Sequence, residues 1–187
     1  HATLLLYNGA QEIGQGTPPV LPQLFADAGG LPLACVTQVM GDTDLTLDAG
    51  KSSASRQTFV SGNAAKFAGE DLRRQLLAAL GADASAVLGL EGTVLSARSA
   101  AGLHQLDLTA VASDARGDLF TGSGHFNPPT IALDADGQGV PYATYAFAAQ
   151  IAELEVDIDL GTVKLLHIHA AHDVGRAINP TQVEGQI

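Results

Sequence analysis

A polar, glycine-rich stretch, Gly9-Ala10-Gln11-Glu12-Ile13-Gly14-Gln15-Gly16, stands between a short apolar run and a helix-forming segment, and it constrains the fold more than any other part of the chain. The run before it, Leu4-Leu5-Leu6-Tyr7, has the length and apolarity of a buried strand. Thr17-Pro18-Pro19 after it supplies a helix start, because proline is tolerated where a backbone N–H has no helical partner. The expected order is strand, loop, helix. Gly14 and Gly16 let the backbone take positive φ or come close to a ligand, and the Gln15 carboxamide between them offers donors and an acceptor. Such a loop at a helix N-terminus suits an anionic or heterocyclic group; a plain tight turn is the competing reading. The spacing is not the dinucleotide glycine fingerprint, and no lysine follows as in a phosphate loop.

At 187 residues, 46% of them hydrophobic, the chain is long enough to bury a sizeable core in one domain. Its formal net charge of -11 argues against nucleic acid or an anionic membrane surface as a partner, since both would repel it. A single cysteine, Cys35, excludes an internal disulfide framework and a multi-cysteine zinc or iron-sulfur site; its apolar neighbours predict a packed, unreactive thiol. No apolar run approaches the roughly 20 residues of a membrane span, and no secretory signal opens the chain, so a cytoplasmic or periplasmic location is expected. Both ends read as cut, which predicts a fragment.

Two portions are expected. Residues 1–90 form the strand-loop-helix portion: a helix from Pro18 to Ala28 stopped by Gly29-Gly30, a strand from Cys35 to Met40, and a long Gly/Ser/Thr-rich loop from Asp42 to Gln57. The strongest helix follows, from Thr58 to Leu80, with Phe67, Leu72, Leu76, Leu77 and Leu80 on its apolar stripe, small residues in its first half for close packing, and Gly81 as its stop. Residues 91–187 are β-rich, with short strands at Gly92–Ala97, Leu103–Leu108 and Leu119–Phe126. A long antiparallel hairpin, Tyr142–Asp157 with Gly161–Asp173, is expected at the centre of the sheet. His167 and His169 share one strand face while His172 falls off the period, so these read as ordinary strand and turn histidines rather than metal ligands, and Asp134-Ala135-Asp136-Gly137 reads as a turn. Asp173 to Pro180 reads as a turn, and Thr181 to Ile187 begins a last helix with Gln182 in its first turn.

Three amide-rich or small-residue segments stand out: Gly14-Gln15-Gly16, Ser53-Ala54-Ser55-Arg56-Gln57, and Gln182 at its helix start. With no nucleophile-base pair or metal-ligand cluster among them, they are suited to holding a cofactor rather than reacting themselves. Glu12-Ile13-Gly14-Gln15-Gly16 resembles the Glu-x-Gly-Gln-Gly segment of the molybdenum hydroxylases, the xanthine dehydrogenase and aldehyde oxidoreductase family. The resemblance continues through Gly41-Asp42-Thr43, Ser53 to Gln57 with Gly62-Asn63-Ala64, Phe126 to Thr130, Tyr142 to Tyr145, Asp173-Val174-Gly175, Asn179-Pro180 and Gln182 to Gly185, in the order of the second molybdopterin-binding lobe of the catalytic subunit.

The resemblance implies an α+β fold of mixed, largely antiparallel sheets packed with two main helices. It implies hydroxylation of a small aldehyde or heteroaromatic substrate with water as oxygen source, at molybdenum carried on molybdopterin, plain or as the cytosine dinucleotide. Electrons would leave through iron-sulfur clusters, with any flavin likewise on other domains or partner subunits. By the same resemblance Gln15 would bond the pterin with backbone help from Gly14 and Gly16. Ala54 and Ser55, with Gln57 and Thr58, would form the loop beneath the metal and its phosphate tail, and Gln182 would be a further pterin contact. Arg56-Gln57 is more like bacterial aldehyde oxidoreductases with the dinucleotide form. The family's catalytic glutamate would lie beyond Ile187, so no residue here is expected to be catalytic or to bind metal directly, and the isolated segment is expected to be inactive. Glu12 is expected to fix its loop. The rival expectation is a non-catalytic acidic interaction module that keeps the scaffold.

Overall fold

A computed structural model describes residues 2–187, which divide into two compact units at Asn127/Pro128. In the first unit, strand β1 (Leu4–Tyr7) leads through helix α1 (Thr17–Gly29) to strand β2 (Val36–Val39), which pairs parallel with β1 in the register Leu4↔Val36 to Tyr7↔Val39. Parallel pairing requires a crossover, and α1 is that crossover. Helix α2 (Gln57–Leu80) follows the long loop, and both helices stop at glycines in the left-handed region, Gly30 and Gly81, whose N–H groups bond back to the last carbonyls. Strands β3 (Val87–Glu91), β4 (Val94–Ser99) and β5 (Gly102–Asp107) complete the unit as an antiparallel meander.

The core lies where these pieces meet. Leu21 and Phe25 of α1, Leu72, Leu76 and Leu77 of α2, Leu6 of β1 and Leu88 and Leu95 of the meander form one buried cluster. The small residues of α2 permit close approach on two sides. A Cβ on Gly69 would sit 2.5 Å from the Phe25 carbonyl oxygen of α1, and one on Gly124 would sit 2.0 Å from the Ala64 carbonyl oxygen of α2.

That second contact corrects the expected strand at Leu119–Phe126. The segment is an irregular strap laid along α2: Asp71 accepts from the Ser123 N–H, Gln75 donates to the Thr121 carbonyl, and Phe126 meets Phe59 and Phe67 edge-on at 5.2 and 6.1 Å. Glycines at 122 and 124 bare one side of the extended chain, so it docks on helix backbone instead of pairing with a strand. Strand β3 was not expected; it lies next to the β4 segment that was. Cys35 is half-buried rather than packed away, beside a cavity of about 290 Å³ lined by Thr3, Thr37 and Leu90.

In the second unit, β6 (Phe147–Asp157) and β7 (Thr162–Asp173) pair antiparallel, with Ile151 opposite His169, Leu154 opposite Leu165 and a register shift at Glu153/Leu154. The hairpin is a two-stranded sheet of its own, not the centre of a larger one. Its tight turn is held by the Asp157 carboxylate, which accepts from the N–H groups of Asp159 and Leu160. Asp134 caps its own turn in the same way, accepting from Asp136 and Gln138. Helix α3 (Pro180–Gln186) ends the unit. Among the described residues no helix is long and apolar enough to cross a membrane, and no three His, Cys, Asp or Glu side chains gather as a metal site; the His167 and His169 rings lie 6.3 Å apart on one face.

Candidate functional site: two latched loops

Residues 8–16 follow β1 and residues 42–56 precede α2, and the first unit brings these loops together. A Cβ on Gly9 would fall 1.9 Å from the Leu47 carbonyl oxygen, so no side chain fits between them there. The Ser52 hydroxyl donates to the Gln11 carbonyl at 2.8 Å, and the Gln57 side-chain amide donates to the Ser52 oxygen at 2.8 Å. Gln57 is 5% exposed, and its carbonyl oxygen accepts from Ser61 one helical turn on. One buried carboxamide thus ties the second loop to α2 and, through Ser52, to the first loop. Buried amides need such partners, because leaving one unbonded costs about 1–3 kcal/mol.

The first loop is organised around its own acid. The Glu12 carboxylate accepts from the N–H groups of Gly14 at 2.5 Å, Gly16 at 3.1 Å and Thr17 at 2.6 Å. Thr17 is the first residue of α1, so Glu12 supplies the negative charge that the positive end of the helix dipole favours. The anion place at α1 is therefore filled from within, and Glu12 fixes the loop as the sequence reading expected. Gln15 is drawn inward too: its oxygen accepts from the Ile13 N–H at 2.7 Å, and its nitrogen donates to the Gln11 carbonyl at 2.7 Å and the Thr17 hydroxyl at 2.6 Å. Gly14 and Gly16 both take positive φ, 104° and 84°, which is why glycine stands at each.

The second loop ends differently. Ala54 and Ser55 both lie in the left-handed region at φ 55° and 53°, a conformation costing non-glycine residues about 1–2 kcal/mol each. Arg56 then returns to the right-handed region and α2 begins with no side-chain cap and no acid in its first turn. Successive left- and right-handed residues turn their N–H groups into one concavity, which binds anions. Ala54, Ser55 and Thr58 are exposed there, and Lys51 and Arg56 are the two cations of this loop in a strongly acidic chain.

Of the residues nominated from sequence, Gly14, Gln15, Gly16, Ala54, Ser55, Gln57 and Thr58 thus belong to one pair of latched loops. Gln182 lies in the second unit, exposed in α3, where its backbone N–H donates to the Asn179 side chain at 3.2 Å. Sequence reasoning missed Gly9 and Ser52, which join the loops. Gly9 stands at the head of the glycine-rich loop, but nothing local shows that it meets Leu47; a serine among serines gives no signal for the second.

The sequence profile described as "Molybdopterin cofactor-binding domain" matches residues 1–187. Among curated proteins, the chain is 31% identical over 183 residues to "6-hydroxypseudooxynicotine dehydrogenase complex subunit gamma" of Paenarthrobacter nicotinovorans, covering 96% of this chain and 22% of that protein. It is 28% identical over 190 residues to "Probable hypoxanthine oxidase XdhD" of Escherichia coli strain K12, covering 99% of this chain and 18% of that protein. The chain thus spans about a fifth of the length of these relatives. Among solved structures, the aldehyde oxidoreductase of Desulfovibrio desulfuricans superposes with a TM-score of 0.73 at 24% identity, covering 98% of this chain and 18% of that one. At that identity the superposition establishes a shared fold.

Proposed function

The chain belongs to the molybdopterin cofactor-binding domain family, and from that premise we propose that its two latched loops form part of the surface that holds molybdopterin in the catalytic subunit of a molybdenum hydroxylase. The observation that carries this reading is the contrast between the two helix starts. The α1 start is filled by Glu12, whereas the α2 start is uncapped, free of acid in its first turn, and preceded by two left-handed residues in a loop whose exposed cation is Lys51. That chemistry fits the phosphate end of the cofactor.

In this reading Ser55 and Thr58 with their backbone N–H groups take the anionic tail, in plain or cytosine-dinucleotide form. Gln57 orients that loop from beneath. The first loop, with Gly14, Gln15 and Gly16, offers a rigid edge to the pterin; both hydrogen-bonding ends of the Gln15 amide are already engaged, so a pterin either uses the remaining lone pair on its oxygen or exchanges one of those partners. Gln182 of α3, in the second unit, is proposed as a pterin contact in its own right. The bound cofactor supplies hydroxylation of an aldehyde or N-heterocycle with water as oxygen source, and electrons pass to an iron-sulfur domain or subunit. Among the carboxylates of these loops, Glu12, Asp42 and Asp48 each accept from backbone N–H groups of their own loop, and no residue of these loops is proposed as the base. The segment alone is therefore proposed to be inactive.

Full-length protein purified from its native gene is expected to carry molybdenum and to release a fluorescent pterin. Thr58→Asp gives the sharper test. A carboxylate in the first turn of α2 should stabilise the cofactor-free fold by about 0.3–1 kcal/mol while lowering molybdenum content by repelling the anionic tail. A folded wild-type protein with neither metal nor pterin would overturn the reading, and so would a Thr58→Asp protein with undiminished cofactor.

A further inference from the structure

The Arg56 side chain does something that its place in the helix does not explain. A cation at a helix start is opposed by the helix dipole. The guanidinium folds away from α2 and back over the second loop, where its Nη1 donates to the carbonyl oxygens of Ala49 at 2.9 Å and Lys51 at 3.1 Å. Between those carbonyls Gly50 takes φ 70°, and a Cβ there would sit 3.2 Å from the same Nη1. In the chain, Ala54 and Ser55 stand between the bridged carbonyls and Arg56, and their left-handed backbones need a surrounding structure that over-determines them.

We propose that Arg56 is a positioning residue: by bridging the Ala49 and Lys51 carbonyls it closes the loop on itself and holds Ala54 and Ser55 left-handed before any cofactor arrives. It is not the cation that meets the phosphate. The inference deepens the proposed function and rests on it for the identity of the ligand, but the closure itself is a property of the cofactor-free chain. Because the donor is one arm of a planar, pre-organised fork, lysine with its flexible stem is a poor substitute even though it keeps the charge.

The experiment compares full-length wild type, Arg56→Ala, Arg56→Lys and Lys51→Ala, each made both in a host unable to synthesise molybdopterin and in a competent one. In the cofactor-free proteins, amide hydrogen exchange at Gly50–Gln57 is expected to quicken about tenfold or more in both Arg56 variants. Exchange at Leu72–Leu80 and the melting temperature should stay at wild-type values. From the competent host both Arg56 variants should carry less molybdenum and pterin, whereas Lys51→Ala, which removes a neighbouring charge, should leave loop exchange unchanged. Unchanged loop exchange in both Arg56 variants overturns the proposal. So does full rescue by lysine, which would make charge the role, and so does equal quickening throughout α2, which would make it general stability. If wild type from the competent host lacks cofactor, the proposed function fails, while the exchange measurements still decide whether Arg56 closes the loop.

Discussion

The two units carry similar apolar patterns and treat them in opposite ways. In the first, alternate residues of β4 and the stripe of α2 are covered: Leu95 is 1% exposed and packs in a cluster with Leu21, Phe25 and Leu72. In the second, no residue from 128 to 187 is buried, and Ile151 in the middle of β6 is 68% exposed. A two-stranded hairpin without a third strand or a helix across its face is marginal in water. Periodicity therefore shows which face wants cover, and says nothing of what provides it. The first unit has a core to hold a site in place; the second is held by its strand ladder and turn bonds without a buried residue of its own.

The largest expected effect tests this contrast directly. Leu95→Ala should cost about 2–5 kcal/mol of unfolding free energy, the lost transfer energy plus a cavity. Ile151→Ala, at an exposed position, should change it by about 0.5 kcal/mol or less in the 187-residue chain. Urea unfolding followed by circular dichroism measures both. An Ile151→Ala cost near that of Leu95→Ala would mean that the hairpin face is covered in solution, and the contrast would break.

A middle-sized effect asks whether the latch between the loops matters as much as the core beneath it. Gly9→Ala places a methyl group into the Leu47 carbonyl, and overpacking of that kind costs about 1–3 kcal/mol. Gln57→Ala leaves the Ser52 and Ser61 hydroxyls without their buried partner, at a cost of about 1–3 kcal/mol. Both should raise protease sensitivity between residues 42 and 56 before the meander β3–β5 is touched. If limited proteolysis finds that loop no more open in either variant, the latch is not what orders it.

How far the sequence was legible follows the same division. Local signals were read well: the glycine stops at Gly30 and Gly81, the stripe of α2, the hairpin of β6 and β7, and the turn at Asp157 to Gly161 all depend on residues near one another in the chain. What failed depended on distant partners. The Leu119–Phe126 strap has strand-like apolar residues, and only the helix it lies on decides that it docks instead of pairing. The hairpin was expected at the centre of a sheet because its residues are apolar, and apolarity alone does not supply neighbouring strands. In the candidate site, Gln15, Ser55 and Gln57 were nominated by motif, but the hydroxyl of Ser52 and the close approach at Gly9 join segments some 40 residues apart, which no local pattern encodes. Glu12 was legible because a carboxylate among loop amides has few other uses.

The smallest expected effect concerns acid, and it falls on the sheet of the first unit. The Asp107 carboxylate at the end of β5 accepts from the Thr109 N–H at 3.0 Å and the Thr109 hydroxyl at 2.8 Å, and these bonds hold its carboxyl below the usual carboxylate range. Asp83, before β3, is held down likewise by the Ser85 and Ser99 hydroxyls and the Ser85 N–H. A depressed folded value means that the unfolded chain takes up protons first, so the stabilisation is complete above the unfolded value of about 3.9 and is lost as pH falls below it toward the folded one. Asp107→Asn keeps an acceptor oxygen for the Thr109 N–H but removes the titration. The variant should therefore show a shallower fall in urea midpoint between pH 5 and pH 2 than wild type, with the two curves parallel above pH 5. Curves parallel throughout would mean that the Thr109 bonds persist when Asp107 is protonated, and the acid response of the first unit would have to come from its core rather than from the caps at its strand ends.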